Sequence, residues 1–283
     1  MKSPTRPLQS QPQDSVKVAL DREIKVAAEL ALQAGALLRE RQKGQLEIRY
    51  KANGEIVTPV DLASNDLICR GLQAAFPDDA ICSEEGPALT ASAARVWIVD
   101  PLDSTSNYVQ HGDEYSLSIG LAIHHEAMLG VVYNPSRDEL FTGYRGHGTS
   151  WNGLPVRTSV AHQFRPQLLV SSKEWKRGLS NLATDVFMKP MASMAYKLAR
   201  VAAGKEDAAL SLKARKPWGT CAGTALVLAA GGRVSSLDGQ PLLFDCHGPR
   251  TFNGLVAAAN KTHAGVLELA RELRSGMRTR YSA

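Results

Sequence analysis

Asp100 and Asp103 stand three positions apart at the end of an apolar, β-prone run, Val96 to Val99. Pro101 lies between them, and Ser104, Thr105, Ser106 and Asn107 follow directly. The pattern predicts a buried strand that opens into a tight turn and then a helix start. Pro101 fixes its own φ and disfavours helix for Asp100, so both carboxylates and the Leu102 carbonyl can face one side. Hard oxygens converging in this way suit magnesium or calcium rather than zinc or copper. The N–H groups of Ser104 and Thr105 at the helix start can cradle an anion. The chemistry indicated is a divalent metal beside a phosphate pocket. On these residues alone, a capping aspartate and a turn aspartate on a surface loop is an equally good account.

The neighbours decide between the two. Glu84-Glu85-Gly86 follows the strand-like Ala80-Ile81-Cys82, and Ile56-Val57-Thr58-Pro59-Val60-Asp61 stands further back. Downstream come Lys216-Pro217-Trp218-Gly219-Thr220-Cys221-Ala222-Gly223 and then Ala229-Ala230-Gly231-Gly232. This ordered set resembles the inositol monophosphatase family of magnesium-dependent, lithium-sensitive phosphatases, from about Glu23 to the final helix. The carboxylate-proline-apolar-aspartate block is specific by itself. The glutamate pair and the Trp-x-x-x-Ala-Gly block gain their weight from order and spacing.

The resemblance implies a mixed α+β fold, a layered αβαβα sandwich with the metal site between two subdomains. It implies Mg2+ held by the side chains of Glu84, Asp100 and Asp103 and by the Leu102 carbonyl. Thr105 and Asp61 match the pair that polarises the attacking water, the Ser104 and Thr105 amides match the phosphate cradle, and Lys51 sits on a loop near the site. Glu85 reads either as added charge behind the site or as a solvated acid. The expected reaction is two-metal hydrolysis of a small phosphorylated metabolite, inositol 1-phosphate or a related sugar phosphate. A 3′(2′),5′-bisphosphate nucleotidase is the alternative substrate class. A homodimer is also implied.

Two positions depart from the family pattern. Gly219 stands where the family carries an aspartate that binds the second metal and touches substrate, which opens a further alternative: a metal-impaired, non-catalytic member. Ser104 replaces a glycine where backbone approaches phosphate. The segment Leu210-Ser211-Leu212-Lys213 also lacks the acid that animal-type members use for inositol hydroxyls.

The elements that must position these residues are legible in outline. Met1 to about residue 20 is a polar tail rich in Ser, Pro and Gln. Ile24, Ala27, Ala31, Ala34 and Leu38 recur at helical spacing, stopped by Gly44. Leu46, Ile48 and Tyr50 alternate like a half-buried strand, and Lys51 to Glu55 is a polar loop. Asp61 opens a helix with Leu62, Leu67, Ile68 and Leu72 on its apolar face. Three strands, about 116–123, 127–133 and 139–144, then form a meander, and Asn152-Gly153 marks a hairpin. The chain divides into an N-terminal α+β part, 21–160, and a C-terminal part, 161–283. The latter holds a strand at 168–170, helices at 194–203 and 220–230, a strand at 255–259 and a closing helix at 263–274.

Composition narrows the classes. A chain of 283 residues with 44% hydrophobic content can bury a full core. No apolar run reaches membrane length and the N-terminus lacks a signal core, so the cytoplasm is expected and a membrane partner is not. Cys69, Cys82, Cys221 and Cys246 lack paired spacing and read as reduced thiols. The net charge of +5 is dispersed apart from Arg271, Arg274, Arg278 and Arg280. With no recognition motif, it reads as solvated surface that draws in phosphorylated ligands rather than nucleic acid. The glycines match neither a dinucleotide fingerprint nor a P-loop. His124, His125 and His147 read as loop residues. An Asp-x-Asp nucleophile pair and a Cys-x5-Arg loop are both missing, which excludes haloacid-type and cysteine phosphatases.

Overall fold

The computed structural model of the chain describes residues 19–87, 93–159, 166–182, 186–244 and 251–281. The expected N-terminal tail falls almost wholly outside them, as does Cys246.

Helix α1 (Asp21–Gln42) buries Ala27, Leu30, Ala31, Ala34 and Leu38, the three-and-four spacing of an amphipathic helix. A two-stranded hairpin, β1 (Arg49–Tyr50) with β2 (Ile56–Val57), leads to α2 (Pro59–Ala75). Seven strands follow, interrupted only by the short helix α3 (Thr105–Val109): β3 (Ala80–Ser83), β4 (Arg95–Asp103), β5 (Ser116–Ile123), β6 (Glu126–Asn134), β7 (Glu139–Tyr144), β8 (Gly148–Trp151) and β9 (Leu154–Val156). They pair in sequence order as one sheet, with β3 parallel to β4 and every other pair antiparallel. Tight turns make the meander possible, including Asn152-Gly153, where both residues have positive φ.

The second half carries β10 (Gln167–Ser171), α4 (Ser172–Lys176), β11 (Phe187–Met191), α5 (Met194–Ala202), β12 (Ala208–Ser211), α6 (Cys221–Ala229), β13 (Gly232–Ser235), β14 (Leu255–Ala259) and α7 (His263–Tyr281). Its five strands are ordered β11-β10-β12-β14-β13. The first three are parallel, and β14 runs antiparallel to both its neighbours.

Alternation along the strands assigns the layers. In β4, Trp97 and Val99 face α1 and α2, while Val96 and Ile98 face the layer made by α5 and α6. In the second sheet, Leu169, Ala209, Leu255 and Ala257 face α5 and α6 from the other side. Leu168, Val170, Ala208, Leu210 and Val256 turn outward onto Val266, Ala270 and Leu273 of α7. The order is therefore α, β, α, β, α. Helix α6 lies so close on the first sheet that a Cβ at Gly130 would collide with the Ala222 carbonyl. No described helix is long and apolar enough to cross a membrane.

Several sequence expectations change. Leu46, Ile48 and Tyr50 do not form a half-buried strand: only Arg49 and Tyr50 pair, and Tyr50 is 71% exposed. That ribbon is too short to build a packed face. Helix α2 starts at Pro59 rather than Asp61, and Leu62 points away from its buried face of Val60, Asp61, Ser64, Ile68 and Leu72. Strand β4 runs through both aspartates instead of ending before them, and α7 continues past Arg274.

Candidate active site

β4 reaches Asp103 with an irregularity: Asp100 pairs with Ser118 but Asp103 with Ser116, three residues of β4 against two of β5. The extra residue makes a bulge at Pro101, which has no N–H to lose from the ladder. The Pro101 carbonyl accepts from Ser64 Oγ at 3.0 Å, which ties the bulge to α2. Asp100 is buried, and its Oδ1 accepts the Leu102 N–H at 3.2 Å. Burial pushes the Asp100 carboxyl well up, with the nearby Glu84 and Asp103 charges adding to it.

Asp103 turns the other way. Its Oδ2 accepts Ser193 Oγ at 2.7 Å and the Ala195 N–H at 2.8 Å, both at the start of α5. The positive end of that helix favours the carboxylate. Ser193 also caps α5, accepting the Tyr196 N–H at 3.0 Å.

Ser104 adopts φ 76° and ψ 51°, the left-handed region, and its carbonyl begins α3 by accepting from Asn107 and Tyr108. Glycine adopts this conformation without the strain that a Cβ brings. Thr105 follows with its Oγ1 3.0 Å from Asp61 Oδ1 and 3.2 Å from the Leu102 carbonyl.

Asp61 is held from behind by a reciprocal cap. Its Oδ2 accepts the Thr58 N–H at 2.9 Å and the Thr58 hydroxyl at 2.5 Å. Burial raises its pKa, while the Thr58 and Thr105 bonds act to keep it ionised. Thr58 is a site residue that the sequence reading passed over. Its signal was present: Thr-Pro-x-Asp is a capping box with proline at the first helical position.

Glu84 follows β3 and is reached from the β1–β2 hairpin. Lys51 Nζ lies 3.1 Å from Glu84 Oε1 and 2.5 Å from Glu85 Oε1. Burial pushes the Glu84 carboxyl up to about 7; Lys51 opposes that shift, and Glu85 and Asp103 reinforce it. Burial disfavours the Lys51 ammonium, but its bonds and charges with Glu85 and Glu84 outweigh this and raise its pKa. Lys51 is thus both hairpin-tip residue and site neighbour. Glu85, left between two readings above, is a partner of Lys51 rather than a solvated acid.

Gly219 lies two residues before α6 with its Cβ direction toward the same cluster. Trp218 is half-buried against the central core, and its carbonyl accepts from Ser118 Oγ at 3.0 Å.

A hard divalent cation matches this donor chemistry: burial, and then neighbouring carboxylates, make Glu84 and Asp100 resist ionisation, and a lysine ammonium already serves one of them. The present arrangement spreads the carboxylates, with Glu84 drawn to Lys51 and Asp103 to α5. Among the described residues no three acidic, histidine or cysteine side chains stand close enough together to hold an ion as they are. The chemistry fits a cation, with Lys51 Nζ now beside Glu84 Oε1 and Asp103 held by Ser193 and Ala195.

Five alternating layers with a cluster of acidic side chains at the ends of β4, α5 and α6 define a layered, mixed α+β protein with an oxygen-rich interlayer site. The chain belongs to the inositol monophosphatase family, whose profile matches residues 19–275. Among its relatives, inositol monophosphatase 3 of Solanum lycopersicum is 33% identical over 230 residues, covering 76% of this chain and 86% of that protein. The Nus factor SuhB of Pasteurella multocida is 30% identical over 249 residues, covering 83% and 91%. The solved structure of extragenic suppressor protein suhB from Bartonella henselae superposes with a TM-score of 0.78 at 26% identity, covering 90% of this chain and all of that one.

Proposed function

We propose that the protein is a magnesium-dependent phosphomonoesterase acting on inositol 1-phosphate or a related sugar phosphate. The observation that carries this reading is the Thr58–Asp61–Thr105 relay set against the Glu84, Asp100 and Asp103 cluster. In this reading Glu84, Asp100, Asp103 and the Leu102 carbonyl hold Mg2+. The bound cations supply positive charge against the phosphate oxygens and the departing alkoxide, and make water a better nucleophile.

The chain's own residues do the rest. Thr105 donates to Asp61, which leaves its oxygen lone pairs to accept a proton of the attacking water and fix its direction. Thr105 is no base itself at neutral pH. Asp61 keeps the threonine in that orientation because Thr58 holds its other oxygen. The Ser104 and Thr105 amides, at the start of α3, receive the phosphate, with Gly219 leaving room beside it. The homodimer is likewise proposed, and sedimentation equilibrium tests it.

Hydrolysis of inositol 1-phosphate that needs magnesium, stops with chelator and is inhibited by lithium is the expected result. Activity that persists in excess EDTA rejects the mechanism. Adenosine 3′,5′-bisphosphate as the preferred substrate would move the protein to the nucleotidase class.

A second reading has its own support. Gly219 contributes no oxygen toward Asp100, and several relatives carry the name Nus factor. Such a protein would bind partners without turnover. No hydrolysis at saturating magnesium, with any of the three phosphate esters inositol 1-phosphate, adenosine 3′,5′-bisphosphate and fructose 1,6-bisphosphate, supports it.

A further inference from the structure

Beyond the carboxylate cluster lies a cavity of about 640 Å3 lined by Glu174, Leu212, Lys213, Asn253, Arg274 and Met277. It opens past the carboxyl ends of the parallel strands β10 and β12, from which α4 and the 212–219 segment depart. Open α/β sheets bind ligands at that end of their strands. The segment that forms its wall at Leu212 and Lys213 continues to Gly219, facing Asp100.

Glu174 is an unusual lining residue. It has no solvent exposure, and its Oε1 accepts the Leu212 and Lys213 N–H groups at 3.0 and 2.9 Å. Its Oε2 is buried and has no partner among the described residues. Leaving a buried carboxylate oxygen unpaired costs stability, so its retention needs a reason. On the same cavity stand two cations, the exposed Lys213 and Arg274, the latter 2.7 Å from Asn253 Oδ1. Met277 adds apolar surface.

We propose that this cavity binds a small polyol or sugar carrying a phosphate or carboxylate. A ligand hydroxyl completes Glu174 Oε2, and the anionic group meets Arg274 and Lys213. A hydroxyl suits the carboxyl group in either protonation state, because it both donates and accepts. The site goes beyond the phosphatase reading: a monoester's single phosphate cannot meet Arg274 here and the Ser104 and Thr105 amides at once, and binding at the cavity does not require hydrolysis.

Calorimetry on the full chain in EDTA, with D-glucose 6-phosphate as probe, tests the proposal. Saturable binding is expected, with glucose and inorganic phosphate each weaker by about tenfold or more, since each keeps only one of the two contacts. Arg274→Met should weaken glucose 6-phosphate by about tenfold, while Arg274→Lys and Glu174→Gln, whose amide still pairs with a ligand hydroxyl, stay near wild type. Glu174→Gln keeps an oxygen for the Leu212 and Lys213 amides; if that variant fails to fold, the half-buried Arg274 carries the test alone. No saturable heat with the wild type, or unchanged affinity in Arg274→Met, overturns the site. Binding that behaves as expected while no phosphate ester is hydrolysed keeps the site and rejects the phosphatase.

Discussion

A Cβ added at Gly219 would stand 3.4 Å from Asp100 Oδ2, an ordinary contact, and 4.0 Å from the Asp103 carboxyl carbon. Gly219 is not among the glycines with positive φ. Neither backbone conformation nor lack of space therefore requires glycine here. Gly219→Asp would bring a third carboxylate against Asp100 and Asp103. Without metal it should lower the thermal midpoint, since like charges are being packed together. With magnesium it should bind the cation about tenfold more tightly or better, as an added oxygen ligand would. Thermal scans with and without magnesium check both signs. A variant whose midpoint responds to magnesium no more than wild type rejects a metal role for this position.

If Glu84 holds magnesium as proposed, Lys51 competes with the cation for it. Lys51→Met should cost the metal-free protein about 1–3 kcal/mol, because Glu84 and Glu85 lose a charged donor. The same change should strengthen magnesium binding, since no ammonium has to be displaced. Urea unfolding in EDTA and magnesium titration read the two effects separately. Weaker magnesium binding in the variant would show that Lys51 assists the cation instead of standing in for it.

The catalytic relay makes a narrower claim. Thr105→Ala should lower turnover by about two to four orders of magnitude with magnesium affinity kept, because in the proposed mechanism the threonine orients water while the Leu102 carbonyl is untouched. Thr58→Ala should have a milder effect on turnover and cost about 1 kcal/mol of stability through the lost cap. Equal turnover in wild type and Thr105→Ala would place the chemistry elsewhere.

How much of this was legible depends on the distance over which residues meet. The Asp100–Thr105 block is local, and its strand, proline and hydroxyl residues announced the turn and its acids. The bulge was hidden, since it arises from pairing with Ser116 and Ser118 on another strand. The contact of Ser193 with Asp103 joins residues 90 apart, and nothing near Ser193 signals it. Glu174 carries no signal in its own stretch; its burial comes from Leu212 and Lys213, nearly forty residues away, closing over it. Strand β12 itself, Ala208-Ala209-Leu210-Ser211, carries no strong strand former and escaped notice because alanine favours no sheet. Ser104 was visible as a departure, but only the backbone angle gives its reason.

That angle is testable. A non-glycine residue held in the left-handed region costs about 1–2 kcal/mol. Ser104→Gly should therefore stabilise the protein by up to about 1 kcal/mol, after the extra entropy of glycine in the unfolded chain is subtracted. Ser104→Val, branched at Cβ, should destabilise it. Urea midpoints rank the three forms. A destabilised glycine variant would mean that the serine side chain contributes a contact worth more than the strain.

Buried charge also predicts a shape for stability against pH in the metal-free protein. Glu84 titrates near 7 when folded and near 4.5 when unfolded. Between those values the folded chain binds more protons, so stability falls as pH rises from about 4.5 to 7. Asp100, Asp61 and Glu174 are raised as well and act in the same direction. Lys197 does the opposite. It is buried, donates to the Met191 carbonyl at 2.9 Å, and is pushed down to about 7 by burial and then by Arg215. From about 7 to 10.5 the unfolded chain binds the extra proton, so this lysine makes stability rise with pH. The two slopes meet in a minimum near neutrality, and magnesium should fill it from the acid side by pairing with the carboxylates. Urea unfolding across that pH range in EDTA measures the trough. Glu84→Gln should flatten only its acid slope and Lys197→Met only its alkaline slope; a profile that neither substitution alters would remove both groups from the account.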